Sequence, residues 1–178
     1  MANAIPWCFA YGMDEILIAY ATKHGSTHEV AETIAGRLAE AGAETHTLPA
    51  DRVESLDEYA AVVLGAPLYM GRWHRDARAF LRRHREALAT RPVAVFALGP
   101  VRDEPNQWEG AEKQLFDTLA HFPGIEPVTV ALFGGAIVPE TLHFPFSRVP
   151  AGDLRDWAAI EEWAARLPEV FGLTAPVS

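Results

Sequence analysis

The sequence Glu15-Ile-Leu-Ile-Ala-Tyr-Ala-Thr-Lys-His-Gly-Ser-Thr27 changes character in its middle. Residues 15–21 are almost continuously apolar, which is typical of a strand that is covered on both faces. Residues 22–27 are polar and rich in hydroxyl groups. Beyond them, apolar residues recur at spacings of four and three, the pattern of one helix face. They are Val30, Ile34, Leu38 and Ala41. The fold is therefore predicted to begin with a strand, a loop and a helix.

Two local signals bound this first helix. Ser26 and Glu29 have the spacing of a capping box, in which each side chain would bond the backbone N–H of the other residue. Gly42 is suited to the left-handed conformation that ends many helices. We therefore expect the helix to start next to Ser26 and to stop before Gly42.

The same alternation of strand and helix continues along the chain. Three more apolar runs and one short stretch are predicted to be strands, and three amphipathic stretches are predicted to be helices. The strands are 45–48, 59–65, 92–98 and 128–133, and the helices are 75–88, 107–120 and 154–170. This order favours an α/β three-layer sandwich, in which a five-stranded parallel sheet carries helices on both faces. We expect one domain over residues 14–172 and a disordered leader over residues 1–13.

Composition argues against several classes of protein. The 178 residues carry 15 Lys and Arg against 24 Asp and Glu, and the formal charge of -9 argues against a nucleic-acid or anionic-membrane surface. No apolar stretch approaches the roughly 20 residues that cross a bilayer. The one cysteine, Cys8, cannot form an intrachain disulfide, and the first residues lack the pattern of a signal peptide. We expect a cytoplasmic protein without a transmembrane segment, and Met13 is an alternative start.

The loop over residues 22–27 is suited to phosphate. It joins a strand to a helix N-terminus, which offers unpaired N–H groups and the positive end of the helix dipole. Thr22, Ser26 and Thr27 add three hydroxyl groups, and Gly25 permits close approach or a positive φ. The alternative is that Ser26 only caps the helix. The glycine motifs of P-loop and dinucleotide sites are absent here, which argues against both of those sites.

This strand and loop resemble the flavodoxin superfamily. Thr22-x-x-Gly25-Ser26-Thr27 is similar to the FMN phosphate loop of flavodoxins, and the resemblance covers most of residues 15–170. Within the superfamily, the sequence is similar to flavodoxin-domain proteins of the type of menaquinone-dependent protoporphyrinogen oxidase. The motifs that carry this second resemblance are Gly65-Ala-Pro-Leu-Tyr-Met-Gly-Arg-Trp73, Phe133-Gly-Gly-Ala136 and Asp153-Leu-Arg-Asp-Trp157.

The resemblance implies a flavodoxin-like fold and non-covalently bound FMN. It implies that a first loop holds the phosphate, that a second lies along the isoalloxazine ring and that a third forms the other wall. The implied site residues are Thr22, Lys23, His24, Gly25, Ser26 and Thr27 in the first loop, Ala66, Pro67, Leu68, Tyr69, Met70 and Gly71 in the second, and Leu98, Gly99, Pro100 and Val101 in the third. Tyr69 is the candidate to stack on the ring.

Several neighbouring side chains have a structural interpretation beside the functional one. Trp73 could stack on the flavin or pack at a helix entrance, and Trp108 could shield the site or pack in the core. His24 could assist the phosphate and His74 could lie at the flavin edge, although both patterns also fit ordinary histidines. The arginine-rich stretch 72–85 is either a solvated helix face or a dock for a quinone or an acidic partner.

We expect an FMN-dependent oxidoreductase that is linked to a quinone, with a quinone or a redox protein as its partner. No catalytic acid, base, nucleophile or metal site is predicted, because flavin carries the redox chemistry itself. The alternative is a flavodoxin-type electron carrier without a small-molecule substrate, which the acidic charge favours. The resembling proteins carry a longer basic insertion after the fifth strand. Residues 137–152 are short here, with Arg148 as their one formal positive charge, so porphyrin oxidation and membrane docking are not predicted.

Overall fold

The structure is a computed structural model that describes residues 15–69, 71–137 and 151–173. Several features discussed above lie outside these residues. They are the expected leader with Cys8 and Met13, Met70 of the second loop, and the part of the segment after the fifth strand that contains Arg148.

Strands and helices alternate along the described chain. The strands are Glu15–Tyr20 (β1), Glu44–Pro49 (β2), Ala61–Tyr69 (β3), Arg72–Trp73 (β4), Val93–Leu98 (β5), Thr129–Phe133 (β6), Ala136–Ile137 (β7) and Gly152–Asp153 (β8). The helices are Ser26–Glu40 (α1), Arg75–Arg83 (α2), Arg85–Leu88 (α3), Pro105–Leu119 (α4) and Trp157–Val170 (α5), with a 3₁₀ turn at Ala50–Arg52.

Five strands form the predicted parallel sheet, in the order β2-β1-β3-β5-β6. The two central strand pairs are in register over five and six residues, for example Ile18 beside Val63 and Val63 beside Ala94. Parallel pairing requires crossover connections, and the helices provide most of them. The prediction of a five-stranded parallel sheet is confirmed.

Two hydrophobic layers lie on opposite faces of the sheet. Ile16 and Ile18 of β1 pack with the α1 stripe and with α5, whereas Leu17 and Ala19 pack towards α2, α3 and α4. Because side chains alternate along a strand, one apolar run can supply both layers. This confirms the three-layer sandwich and explains why residues 15–21 are almost continuously apolar.

Gly65 shows how closely the central strands pack. It lies beside Phe96 in the β3–β5 register, and a Cβ atom at Gly65 would be 1.9 Å from the Phe96 ring. The ring of Phe96 also contacts Phe133 and Trp163. The absent side chain of Gly65 therefore makes room for the aromatic cluster on the α1–α5 face.

The helix predicted over 75–88 is interrupted at His84. Its backbone there (φ -104°, ψ 18°) leaves the helical region, and α2 and α3 lie on either side of it. The His84 side chain is buried, with Nε2 3.2 Å from the Val53 carbonyl oxygen. The apolar spacing alone did not predict this break, which lies where His84 contacts the segment before β3.

Other boundaries also differ from the predictions. The closing helix starts at Trp157 instead of 154, because the Asp156 side chain caps it by accepting from Ala159 N. α4 starts at Pro105, a residue that suits the first helical turn. β3 continues to Tyr69, and the short strands β4, β7 and β8 were not predicted. In the residues that the structure covers, no helix combines the length and hydropathy needed to span a bilayer.

Candidate functional site

The three predicted loops leave the carboxyl ends of neighbouring strands. The first loop (Thr22–Thr27) follows β1, the second (Ala66–Gly71) completes and follows β3, and the third (Leu98–Val101) ends and follows β5. Because β1, β3 and β5 are adjacent, the loops meet at one edge of the sheet. The chain continues from β1 to β2 on one side and then to β3 on the other, and open α/β sheets bind ligands at such a switch in strand order.

The first loop turns sharply at Gly25. This residue has φ +89°, and its N–H donates to Thr22 Oγ1 at 2.9 Å. A Cβ atom at Gly25 would meet nothing within 4 Å. Glycine is therefore required here by the left-handed backbone and not by crowding, and the space above the turn is open.

The buried hydroxyl group of Thr27 is the clearest sign of an incomplete site. Thr27 is fully buried, and its Oγ1 has no hydrogen-bond partner among the described residues. The first backbone hydrogen bond of α1 runs from Glu29 N to Gly25 O at 3.2 Å. The N–H groups before Glu29 therefore have no acceptor within the helix, as is usual at a helix N-terminus. Buried polar atoms in proteins nearly always have a partner. These donors fit the phosphate group of a ligand.

The capping box predicted from Ser26 and Glu29 is absent. α1 begins at Ser26 itself with Gly25 as its cap residue, and no described side chain caps this end. The Glu29 carboxylate instead accepts from Arg155 Nη1 at 2.5 Å. The prediction was wrong because it considered only the bonds within one turn, whereas Arg155 is 126 residues away in sequence.

The second loop is a hairpin. β3 pairs with the antiparallel strand β4, and Gly71 between them has φ +79°. Trp73 is fully buried and donates from Nε1 to the Ala66 carbonyl at 2.9 Å. Trp73 therefore packs beneath the hairpin, and the hypothesis that it stacks on a flavin is wrong. Of the predicted loop residues described here, Ala66 is buried, Pro67 and Leu68 are half-buried, and Tyr69 is exposed.

Lys23 and Tyr69 join the first loop to the second. Lys23 Nζ lies 4.3 Å from the centre of the Tyr69 ring, within the range of a cation–π contact. Tyr69 is 47% exposed, which leaves much of its ring accessible. The structure thus brings two of the predicted site residues into direct contact.

The third loop is held by the end of β6. Gly99 N donates to the Phe133 carbonyl at 2.7 Å, and Gly135 N donates to the Pro100 carbonyl at 2.9 Å. A Cβ atom at Gly135 would be 2.7 Å from the Gly99 oxygen, so this close approach requires glycine. Leu98 is buried in the core, whereas Val101 is exposed at the end of the loop.

His74 and Trp108 have structural contacts near these loops. His74 Nδ1 accepts from Asp76 N at 3.2 Å and caps α2. Burial lowers the pKa of His74. The negative charge of Asp76 raises this pKa, and the positive charges of Arg75 and Lys23 lower it. Trp108 is half-buried and donates from Nε1 to Asp103 Oδ1 at 2.9 Å.

A cleft of about 310 Å³ adjoins the third loop from the side of β6. It is beside the edge strand β6, near the start of α4 and the start of α5. The residues that line it include none of the predicted site residues; they are Asp103, Trp108, Leu132, Phe133, Gly134, Leu154, Asp156 and Ala159. The cleft therefore borders the third loop through Phe133, whose carbonyl accepts from Gly99 N.

Arg155 is a charged residue near the first loop that was not predicted as part of the site. Its side chain is only 8% exposed. It bonds Asp153 and Glu29, and its Nη1 lies 3.3 Å from the Ser26 carbonyl oxygen. Arg155 belongs to the Asp153–Trp157 motif that carries the family resemblance, but the motif did not indicate this role, because Arg155 contacts the first turn of α1 from a position just before α5.

Comparison with known proteins agrees with this geometry. A family model described as a flavodoxin domain matches residues 17–148. The protoporphyrinogen IX dehydrogenase (quinone) of Escherichia coli strain K12 is 29% identical over 93 residues, which are 51% of this chain and 51% of that protein. The match thus spans about half the length of this curated relative.

Solved flavodoxins have the same fold. A mutant flavodoxin from Pseudomonas aeruginosa superimposes with a TM-score of 0.59 at 20% identity, over 88% of this chain and 98% of that one. Oxidised flavodoxin 1 from Bacillus cereus gives a TM-score of 0.56 at 18% identity, over 87% of this chain and 97% of that one. Because the family model covers more than half of the chain and includes all three loops, the protein belongs to the flavodoxin-domain family.

Proposed function

We propose that this protein binds FMN at the carboxyl edge of its sheet and acts as an FMN-dependent oxidoreductase. The observation that carries the proposal is the first loop, where Gly25 is left-handed and the buried Thr27 hydroxyl has no partner in the described structure. A phosphate at this loop would supply the missing acceptor and would lie at the positive end of the α1 dipole.

The other two loops would hold the ring system. Tyr69 offers an accessible aromatic face at the tip of the second loop, and Gly71 lets the backbone approach the ring closely. Gly99, Pro100 and Val101 would form the opposite wall, fixed from behind by the end of β6. Bound FMN would supply reversible electron uptake, while the protein binds it, orients it and restricts the access of water.

We propose a quinone as the electron partner. The support is the Escherichia coli relative, whose name specifies a quinone, although the match spans only half of each protein. We do not extend the porphyrin substrate in that name to this protein. The segment over residues 137–152 is short and has Arg148 as its one formal positive charge. Most of this segment lies outside the described structure.

A second candidate is an electron carrier that serves a protein partner and has no substrate of its own. The formal charge of -9 favours it, since an acidic surface can dock to a basic partner. The edge near the second loop carries local positive charge from the exposed residues Lys23, Arg72 and Arg75. Positive charge here opposes docking to a basic protein partner, so it favours the enzyme over the carrier.

Flavin titration tests the cofactor. The full chain, freed of bound flavin, is titrated with FMN and with riboflavin while the quenching of flavin fluorescence is recorded. We expect FMN to bind at least about tenfold more tightly, because riboflavin lacks the phosphate. Failure to bind either flavin would overturn the cofactor assignment, and equal affinity for the two would overturn the assignment of the first loop.

Reduction kinetics separate the two functional candidates. The FMN-loaded protein is reduced and then mixed either with a water-soluble quinone or with an oxidised carrier protein at several salt concentrations. Rapid reoxidation by the quinone with little dependence on salt supports the oxidoreductase. Slow reoxidation by the quinone, together with a rapid and salt-sensitive reaction with the protein, supports the carrier.

A further inference from the structure

Arg155 is a buried cation at the junction of three elements. Its Nε and Nη2 donate to the two oxygens of Asp153 at 2.9 and 2.7 Å, which ties it to the end of β8. Its Nη1 donates to Glu29 at 2.5 Å, in the first turn of α1. Its guanidinium also lies 4.8 Å from the centre of the Trp157 ring. These contacts hold one orientation of the side chain.

The first turn of α1 carries a negative charge close to the proposed phosphate site. Glu29 is an acidic residue in this turn. In the ligand-free protein, its carboxylate stabilises the helix by interacting with the positive end of the helix dipole. The same carboxylate repels a phosphate, which carries close to two negative charges at neutral pH. A cation beside Glu29 would offset this repulsion.

We propose that Arg155 is a positioning residue that makes the first loop compatible with a phosphate group. It donates to the Glu29 carboxylate while it is also held by Asp153, so it places a positive charge beside Glu29, and it approaches the Ser26 carbonyl, which fixes the first turn relative to β8. The inference rests on the proposed FMN site but goes beyond it, because Arg155 acts through Glu29 and Ser26 and is not itself assigned to the ligand.

Arg37 offers a matched comparison. It also joins α1 to α5, through Glu161, and it pairs with Glu40 at 2.9 Å. This second link lies at the end of α1 that is remote from the first loop. The Arg37→Ala variant therefore loses a bridge between α1 and the last part of the described chain without a change next to the phosphate loop.

The test compares Arg155→Ala with Arg37→Ala in titrations of the flavin-free full chain with FMN and with riboflavin. We expect Arg155→Ala to weaken FMN binding by about tenfold or more, because it leaves Glu29 uncompensated beside the phosphate. Riboflavin affinity should stay within about twofold of the wild type. Arg37→Ala should leave both affinities within about twofold.

Glu29→Gln separates charge compensation from a loss of structure. In the Arg155→Ala background, it should restore FMN affinity by at least about threefold, because the uncompensated carboxylate is gone. Arg155→Lys keeps the positive charge but loses the planar set of N–H donors of the guanidinium group. Its FMN affinity should therefore lie between those of the wild type and Arg155→Ala. Urea unfolding confirms that each titrated variant is folded, and Arg155→Lys carries the test if Arg155→Ala does not fold.

Two results would overturn the inference. One is an equal loss of FMN and riboflavin affinity in Arg155→Ala, which would make Arg155 a purely structural residue. The other is an Arg155→Ala variant that keeps the wild-type preference for FMN, and this would leave the proposed FMN site intact. A wild type without any FMN preference would instead overturn the proposed phosphate site together with this inference.

Discussion

The first loop (Thr22–Thr27) and the connection between β2 and β3 (Ala50–Ala60) both adjoin the sheet, and they differ in whether their polar groups have partners within the described structure. In the β2–β3 connection, Arg83 Nη2 donates to the carbonyls of Ala50 and Val53 at 2.8 and 3.1 Å. In the first loop, the Thr27 hydroxyl is buried without a partner in the described structure.

Burial differs between the two segments in the same way. The β2–β3 connection places an apolar side chain in the core at Ala50, Val53, Leu56 and Tyr59. Arg91 completes it, with Nη1 donating to the carbonyls of Leu56 and Tyr59. The first loop buries only Thr27. One segment is thus closed by the protein's own side chains, whereas the other leaves polar groups for a ligand to satisfy.

The largest effect is expected at Arg91. Arg91→Ala removes donors from the carbonyls of Leu56, Tyr59 and Ala87, so the free energy of unfolding should fall by about 3 kcal/mol. Urea unfolding measures it, with Arg82→Ala on the exposed face of α2 as the control. An unchanged midpoint would contradict the description of this connection as closed by its arginines.

Thr27→Val addresses the open segment and should change binding more than stability. The substitution keeps the shape but removes the hydroxyl group, so FMN affinity should fall about tenfold while riboflavin affinity stays constant. The free energy of unfolding without ligand should be unchanged or slightly higher, because a buried unpaired hydroxyl group is removed. Thr33→Val, later in α1, is the matched control. A marked loss of stability in Thr27→Val would show that the hydroxyl group serves the fold.

Tyr69→Leu should have a smaller effect that does not distinguish the two flavins. The loss of ring stacking should weaken both FMN and riboflavin by about fivefold, because the contact is with the isoalloxazine and not with the phosphate. Tyr69→Phe keeps the ring and should bind both flavins as the wild type does. If Tyr69→Leu weakens FMN alone, Tyr69 acts on the phosphate side through Lys23.

The smallest effect is a pH dependence of stability from His84, which packs against the β2–β3 connection. Burial lowers the pKa of His84. The hydrogen bond to the Val53 carbonyl raises this pKa, and the positive charges of Arg83 and Arg91 lower it further. The folded state therefore binds fewer protons than the unfolded state just below the ordinary histidine pKa of about 6.5. Stability from this group is present above that pH and is lost as the pH falls through the lowered pKa.

Unfolding in urea at about pH 7.5 and about pH 5.5 checks this sign. The wild type should be less stable at the lower pH, and His84→Gln should reduce the difference between the two values. His74 also has a lowered pKa, through burial, so part of the pH dependence should persist in His84→Gln. An identical pH dependence in the two proteins would exclude His84 as a source.

Local pattern was sufficient for much of this fold. The apolar run of 15–21 predicted β1, and the spacing from Val30 to Leu38 predicted the buried face of α1. Gly42 ends that helix with φ +91°, as its conformational freedom indicated. These predictions succeed because helix and strand periodicity is dictated by which residues leave water.

Long-range contacts explain most of the failures. The capping box failed where Arg155 binds Glu29, and the helix break at His84 lies where its ring contacts the Val53 carbonyl. For Trp73 the structural interpretation holds, because its indole N–H donates to the Ala66 carbonyl beneath the hairpin. Each of these outcomes depends on a neighbour that is not adjacent in sequence.

The sequence by itself determined the strand–helix order, the two-sided core and the place of the hydroxyl-rich loop after β1, because these follow from apolar periodicity and from the chemistry of a helix N-terminus. Only the tertiary structure decided which polar groups found partners. It paired Arg91 with the carbonyls before β3, brought Arg155 to Glu29 and left Thr27 unpaired among the described residues. Partner choice depends on distances across the fold, and those distances are set when the sheet and helices pack.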